Sequence, residues 1–139
     1  MHADVKWIDG LTFMATATSG HGLILDAPVA SGGNGRGPSP MELLLMGAGS
    51  CTGIDMINIL KKARQNVTGL AIHVDSVREE ADPKVFTAIK VIYNVTGKNL
   101  DHAQVKRAMD LSAEKYCCVS IMLGKTATIS HELHIHEAQ

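Results

Sequence analysis

The chain has 139 residues, 45% of them apolar and 19% charged, with a formal net charge of −1. That is enough chain to bury one core without disulfide staples, so a single domain over residues 1–139 is expected. The composition argues for a globular protein and against a disordered one, and the balanced charge gives no broad basic field of the kind that nucleic-acid binding needs. The start, Met1 to Trp7, lacks a basic segment followed by an apolar run, and no stretch reads as the roughly 20 consecutive apolar residues of a membrane span. A cytoplasmic protein with no membrane partner is therefore expected. Three cysteines, an odd number that includes the adjacent Cys117 and Cys118, do not make a secreted disulfide framework. With two Phe, two Tyr and one Trp, the core must rest on aliphatic side chains, and the apolar surface left over points to a homodimer.

Along the chain, His2 to Ile8, Leu11 to Thr18 and Gly22 to Asp26 are short segments divided by Asp9-Gly10 and Ser19-Gly20, turn dipeptides suited to positive φ, and they read as an antiparallel meander. Ala27 to Ser39 holds six Gly and Pro residues and a single charge, Arg36, which makes it a long loop. Ser39-Pro40-Met41-Glu42 then supplies an N-cap, a proline at the first helical position and an acid in the first turn. The helix that follows extends to the basic end at Arg64, about 37 Å at 1.5 Å per residue. Its middle is apolar on nearly every side, which predicts a helix enclosed by other elements. Gly47, Gly49 and Gly53 each cost about 1 kcal/mol against Ala there, a cost that close backbone contact would offset.

Thr68 to Val77 and Val85 to Thr96 alternate with period two and predict a hairpin whose connection, Arg78 to Lys84, is exposed. A second helix starts at Asn99 or Asp101 and places Val105, Ala108, Met109 and Ser112 at spacings of three and four. Cys117 falls at or just past its end. Val119 to Leu123 extend it or open a third helix, Gly124 stops it, and a last strand covers about Ala127 to His136.

The chemistry-bearing residues are the cysteines. Cys51 lies in Gly47-Ala48-Gly49-Ser50-Cys51-Thr52-Gly53-Ile54-Asp55, and Cys117 opens Cys117-Cys118-Val119-Ser120. A cysteine attacks as thiolate, which a cation, a helix dipole or hydrogen bonds must stabilise near neutral pH. Cys51 is too far into its helix for the dipole to act strongly, and Arg36 in the preceding loop is the best cation available. Neighbouring helical residues point about 100° apart, so only one of Cys117 and Cys118 is expected to face a common cleft.

Ser39-Pro40-Met41-Glu42-Leu43-Leu44-Leu45 with Gly47-Ala48-Gly49-Ser50-Cys51, followed by Cys117-Cys118-Val119-Ser120, resembles the OsmC/Ohr family of bacterial thiol peroxidases over nearly the whole chain. The resemblance implies an α+β fold in which antiparallel sheets wrap a long central helix, within an intertwined homodimer. It implies a thiol-dependent peroxidase acting on organic hydroperoxides, with Cys51 as the peroxidatic residue and Cys117 as the resolving one. It further implies supporting Arg and Glu side chains, for which Arg36 and Glu42 are the candidates here. No cofactor is implied; the disulfide would be reopened by an external dithiol, for which the family suggests a lipoyl-type reductant. Two positions depart from the pattern: Met41 stands where the family has Glu directly after the helix-starting proline, and Cys118 replaces the proline of Cys-Pro-Val-Ser.

Two further readings are open. One is an OsmC-like protein without turnover that binds an apolar small molecule in its dimer cleft, which Met41 motivates. The other is a metal site, because His134 and His136 share one face of the last strand, although two histidines at that spacing are a weak signal.

Overall fold

A computed structural model describes residues 1–139, which form two compact units, Met1–Leu44 and Leu45–Gln139. In the first, strands β1 (Ala3–Asp9), β2 (Thr12–Ala17) and β3 (Gly22–Leu25) pair antiparallel in chain order. Gly10 and Gly20 take positive φ at the two turns, as their dipeptides predict. The loop that follows contains one short 3-10 turn, Val29–Ser31. The carboxylate of Asp26, buried at the end of the sheet, organises this loop by accepting from the Thr12 hydroxyl and from the backbone N–H groups of Ala27, Asn34 and Arg36.

Helix α1 (Pro40–Lys62) starts in the first unit and continues into the second. Ser39 Oγ accepts the Glu42 N–H at 3.3 Å while Glu42 Oε1 accepts the Ser39 N–H at 3.0 Å, a reciprocal capping box. Only Ala48, Thr52, Met56 and Leu60 are buried, one residue every four, whereas Met46 is 53% and Ile54 62% exposed. The enclosure predicted from its apolar middle is thus confined to one stripe within a single copy of the chain. By length and composition α1 is also apolar enough to cross a membrane, contrary to the reading of the sequence, because its glycines, Ser50 and Thr52 do not lower the average far enough. The fold uses those glycines for packing: a Cβ at Gly49 would stand 3.2 Å from Val74, and one at Gly53 3.2 Å from Ile72. The close backbone contact expected of them is therefore made against the neighbouring sheet.

That sheet consists of β4 (Asn66–Arg78), β5 (Phe86–Lys98) and β6 (Thr128–Glu137), with β5 central. Ile89, Val91, Tyr93 and Val95 are buried at every second position of β5, the alternation visible in the sequence. β4 and β5 form the predicted hairpin, but β6 pairs with β5 in parallel, so the second sheet is mixed where antiparallel sheets were expected. The reason is the connection: helices α2 (His102–Leu111) and α3 (Cys118–Leu123) lie between β5 and β6 and bring the chain back for a parallel strand. Asp101 is the N-cap of α2, accepting from the N–H groups of Ala103 and Gln104. Val105, Ala108 and Met109 are its buried face.

Candidate functional site

The second unit brings Cys51 and Cys117 together, 66 positions apart in the chain. Cys51 sits half-buried on α1, and one helical turn later the same face presents Asp55. Cys117 arrives by a different device. After α2 the chain makes a wide π turn, Ser112–Tyr116, closed by the Cys117 N–H donating to the Ser112 carbonyl at 2.8 Å. Such turns displace the residues beyond them from the preceding helical register. Cys117 leaves it in an extended conformation, fully buried, and caps α3: its sulfur accepts the Ser120 N–H at 3.4 Å. The two sulfurs and an Asp55 oxygen lie within 4.8 Å of one another. Ser112, at the head of the wide turn, donates its hydroxyl to Asp55 Oδ2 at 2.9 Å and fixes the carboxylate.

Of the adjacent cysteines, Cys117 is buried against Cys51 while Cys118 is exposed at the start of α3, in agreement with the expectation that only one would face the cleft. Burial pushes the Cys51 thiol above its ordinary range; the Val119 N–H opposes this, the Cys117 thiol adds to it, and the Cys118 thiol opposes it. Each of these influences comes from the second unit, and none is a cation.

The other two site residues singled out in the sequence have partners within the first unit. The Arg36 guanidinium forms an ion pair with Asp9 and approaches the Thr12 hydroxyl at 3.5 Å. Glu42 is engaged by Ser39 in the capping box, whose hydrogen bonds hold its carboxyl below the usual range. His134 pairs with Glu132 at 2.6 Å and His136 with Asn94 at 3.0 Å, and no third metal-type donor joins them.

Sequence reasoning passed over Asp55, Ser112, Tyr93 and His131. Asp55 had a signal, being the one acid between Leu43 and Leu60 of an apolar helix and four residues after Cys51. Tyr93 and His131 belong to strands that pair only in the fold. Their rings stack at 5.8 Å, and Tyr93 Oη pairs with His131 Nδ1 at 2.9 Å. The Tyr93 hydroxyl is pushed up to about 12, by burial first, with a hydrogen bond to Thr52 opposing and the charges of Cys117 and Asp55 adding. Burial also lowers His131, against a smaller influence from Asp110. Both side chains are therefore neutral at pH 7.

Comparison with known proteins places this arrangement. The family model for OsmC-like protein matches residues 32–132. Protein YhfA of Escherichia coli (strain K12) is 46% identical over 136 residues, covering 97% of this chain and 98% of that protein. A crystal structure of a hypothetical protein from Aquifex aeolicus VF5 shares the fold at a TM-score of 0.87 and 28% identity, covering 99% of this chain and 97% of that one. The organic hydroperoxide resistance protein OhrB of Bacillus subtilis has the same fold at a TM-score of 0.63 and 22% identity, over 96% and 98% of the two chains. With its α+β fold of two sheets and a long central helix, and with a paired-cysteine cluster suited to redox chemistry, the chain belongs to the OsmC/Ohr family.

Proposed function

We propose that the protein is a thiol-dependent peroxidase that reduces organic hydroperoxides. The observation that carries this reading is the approach of the Cys51 and Cys117 sulfurs to within 4.8 Å, one half-buried and the other buried. In the proposed cycle the Cys51 thiolate attacks one peroxide oxygen and the O–O bond breaks. The departing alkoxide takes a proton and leaves as alcohol, and Cys51 becomes a sulfenic acid. Cys117 sulfur then displaces water from that sulfenic acid to form the disulfide. An external dithiol, of lipoyl type, returns both thiols by exchange and is itself oxidised to a disulfide. Closing the bond to about 2.05 Å requires the two sulfurs to approach further from their present separation.

Arg36 and Glu42 enter this reading as the family's supporting pair. With Asp9 and Ser39 as their present partners they carry the smaller part of it: Arg36→Ala is expected to slow turnover far less than Cys51→Ser. Asp55 is the carboxylate beside both sulfurs, in a site whose helix start has Met41 in place of the family's acid. The apolar surface of α1 supports an intertwined homodimer. A groove of about 620 Å³ lined by Gly49, Gly53, Ile54, Ile57, Leu70 and Ile72 offers a second copy an apolar face. On this reading residues 1–139 act as one domain in a cytoplasmic protein whose thiols are kept reduced.

The test is titration of reduced protein with cumene hydroperoxide, followed by mapping of the oxidised species by mass spectrometry. A Cys51–Cys117 disulfide formed stoichiometrically is the expected product. Undiminished peroxide consumption by Cys51→Ser would overturn the assignment. One observation favours the second reading, an OsmC-like protein that binds an apolar molecule without turnover: burial raises the Cys51 thiol and no cation offsets it. Retention of an apolar ligand by reduced protein that consumes no peroxide would select that alternative.

A further inference from the structure

The Cys51, Asp55 and Cys117 cluster has a property that peroxide chemistry does not use: it gathers three metal-type donor atoms and includes no cation. We propose that, when reduced, it binds one soft or borderline divalent cation of the zinc class through Cys51 Sγ, Cys117 Sγ and an Asp55 oxygen. The inference rests on reading Cys51 and Cys117 as a functional dithiol and assigns regulation to that same site, since a sulfur pair clamped by a metal cannot close a disulfide.

The donor spacing is the first support. Tetrahedral zinc with Zn–S near 2.3 Å and Zn–O near 2.1 Å sets its donors about 3.6–3.8 Å apart. Donors already within 4.8 Å need at most about 1 Å of contraction to meet that geometry. Thiolate and carboxylate together suit zinc and its softer neighbours rather than magnesium or calcium, which take oxygen alone.

The surroundings supply the second. Asp55 forms no ion pair; its hydrogen-bond partner is the Ser112 hydroxyl, the kind of outer contact that orients a metal-binding carboxylate. Asp55 also lines a cavity of about 600 Å³ with Asn58, Lys62, Arg107 and Tyr116, which gives an ion a route to the carboxylate that leads the site. Three protein donors leave a fourth tetrahedral position for water or a small ligand. The charge balances: M²⁺ joins one carboxylate and two thiols, two protons leave, and the bound site carries a single negative charge.

The experiment uses full-length, untagged protein, reduced and stripped with chelator, with no peroxide present. Cobalt(II) is titrated as a spectroscopic probe, and zinc affinity is measured by competition with a chromophoric chelator. One equivalent per chain and a thiolate-to-cobalt charge-transfer band are expected. Cys51→Ser and Cys117→Ser each abolish the band, and Ser112→Ala weakens zinc about 10- to 100-fold. Cys118→Ser keeps the spectrum. Alkylation mapping of the wild-type chain guards against variants that do not fold: zinc should protect Cys51 and Cys117 and leave Cys118 reactive. Cobalt binding without a thiolate band, zinc affinity unchanged in Cys51→Ser, or no protection of Cys51 would each overturn the proposal. Because no peroxide is involved, an inactive peroxidase leaves this result standing, and absence of metal binding leaves the peroxidase reading standing.

Discussion

Asp26, buried in the first unit, and Cys51, half-buried in the second, are both acids that lose hydration in the fold, and their environments drive them in opposite directions. Burial pushes the Asp26 carboxyl up, but the Arg36 N–H, the Thr12 hydroxyl and the Ala27 and Asn34 N–H groups together outweigh it and leave the carboxyl below its usual range. Burial also pushes Cys51 up; the Val119 N–H and the Cys118 thiol oppose it, while the nearby Cys117 adds to it, and the thiol ends above its usual range. Four donors reverse the effect of desolvation on Asp26, and two weaker ones do not do so for Cys51. The first unit thus holds a charge firmly to shape a loop. The second holds its reactive atom as a thiol until something removes the proton.

The largest expected effect that would sharpen this contrast is on turnover. Cys51→Ser should lower peroxide consumption by about a thousandfold or more if this sulfur is the nucleophile, measured as the initial rate with a dithiol reductant in excess. Next is Asp26→Asn, which keeps the shape but removes the charge that four donors address. It should lower the melting temperature and speed amide exchange across residues 27–36, while the alkylation rate of Cys51 stays as in the parent. A change in Cys51 reactivity would break the contrast by showing the two regions to be coupled.

The pH dependence separates the same two groups. The folded Asp26 pKa is depressed, so its stabilisation is fully present above the unfolded value of about 3.9 and is lost as pH falls through the folded value. Thermal melts followed from pH 7 downward should show this loss only in the acid range. Cys51 has a raised pKa, so its iodoacetamide reactivity should still be climbing above about pH 9.5, one unit past the ordinary thiol value of about 8.5, where an ordinary thiol approaches its plateau. A plateau below that pH would reverse the sign assigned to Cys51. The smallest effect belongs to Cys118→Ala, which removes one weak donor from Cys51. It should slow alkylation of Cys51 at pH 8 by less than about tenfold, and an acceleration would reverse the direction assigned to Cys118.

Much of the architecture could be read from local pattern. The β5 alternation at Ile89, Val91, Tyr93 and Val95, the Ser39 cap and the Gly10 and Gly20 turns are short-range signals, and each element stands where its residues place it. The parallel pairing of β6 was not readable, because alternation along one strand carries no information about a neighbour's direction. The two cysteines were visible as motifs, but Asp55 became significant only when Ser112 and Cys117 arrived beside it from another element. Arg36 shows the converse. Its place in a glycine-rich loop suggested a free cation, and Asp9, on the strand across from it, could not be anticipated from spacing alone.

The wide turn at Ser112–Tyr116 makes the meeting of the two sulfurs a matter of counting residues. Removing one residue from it would change the register in which the chain leaves α2 and so the place to which Cys117 is delivered. Both thiols would then remain in the sequence, chemically unchanged and no longer facing each other. The spacing between the reactive atoms is held by backbone arithmetic, so an insertion or deletion in this short segment would alter the site as surely as replacing either cysteine.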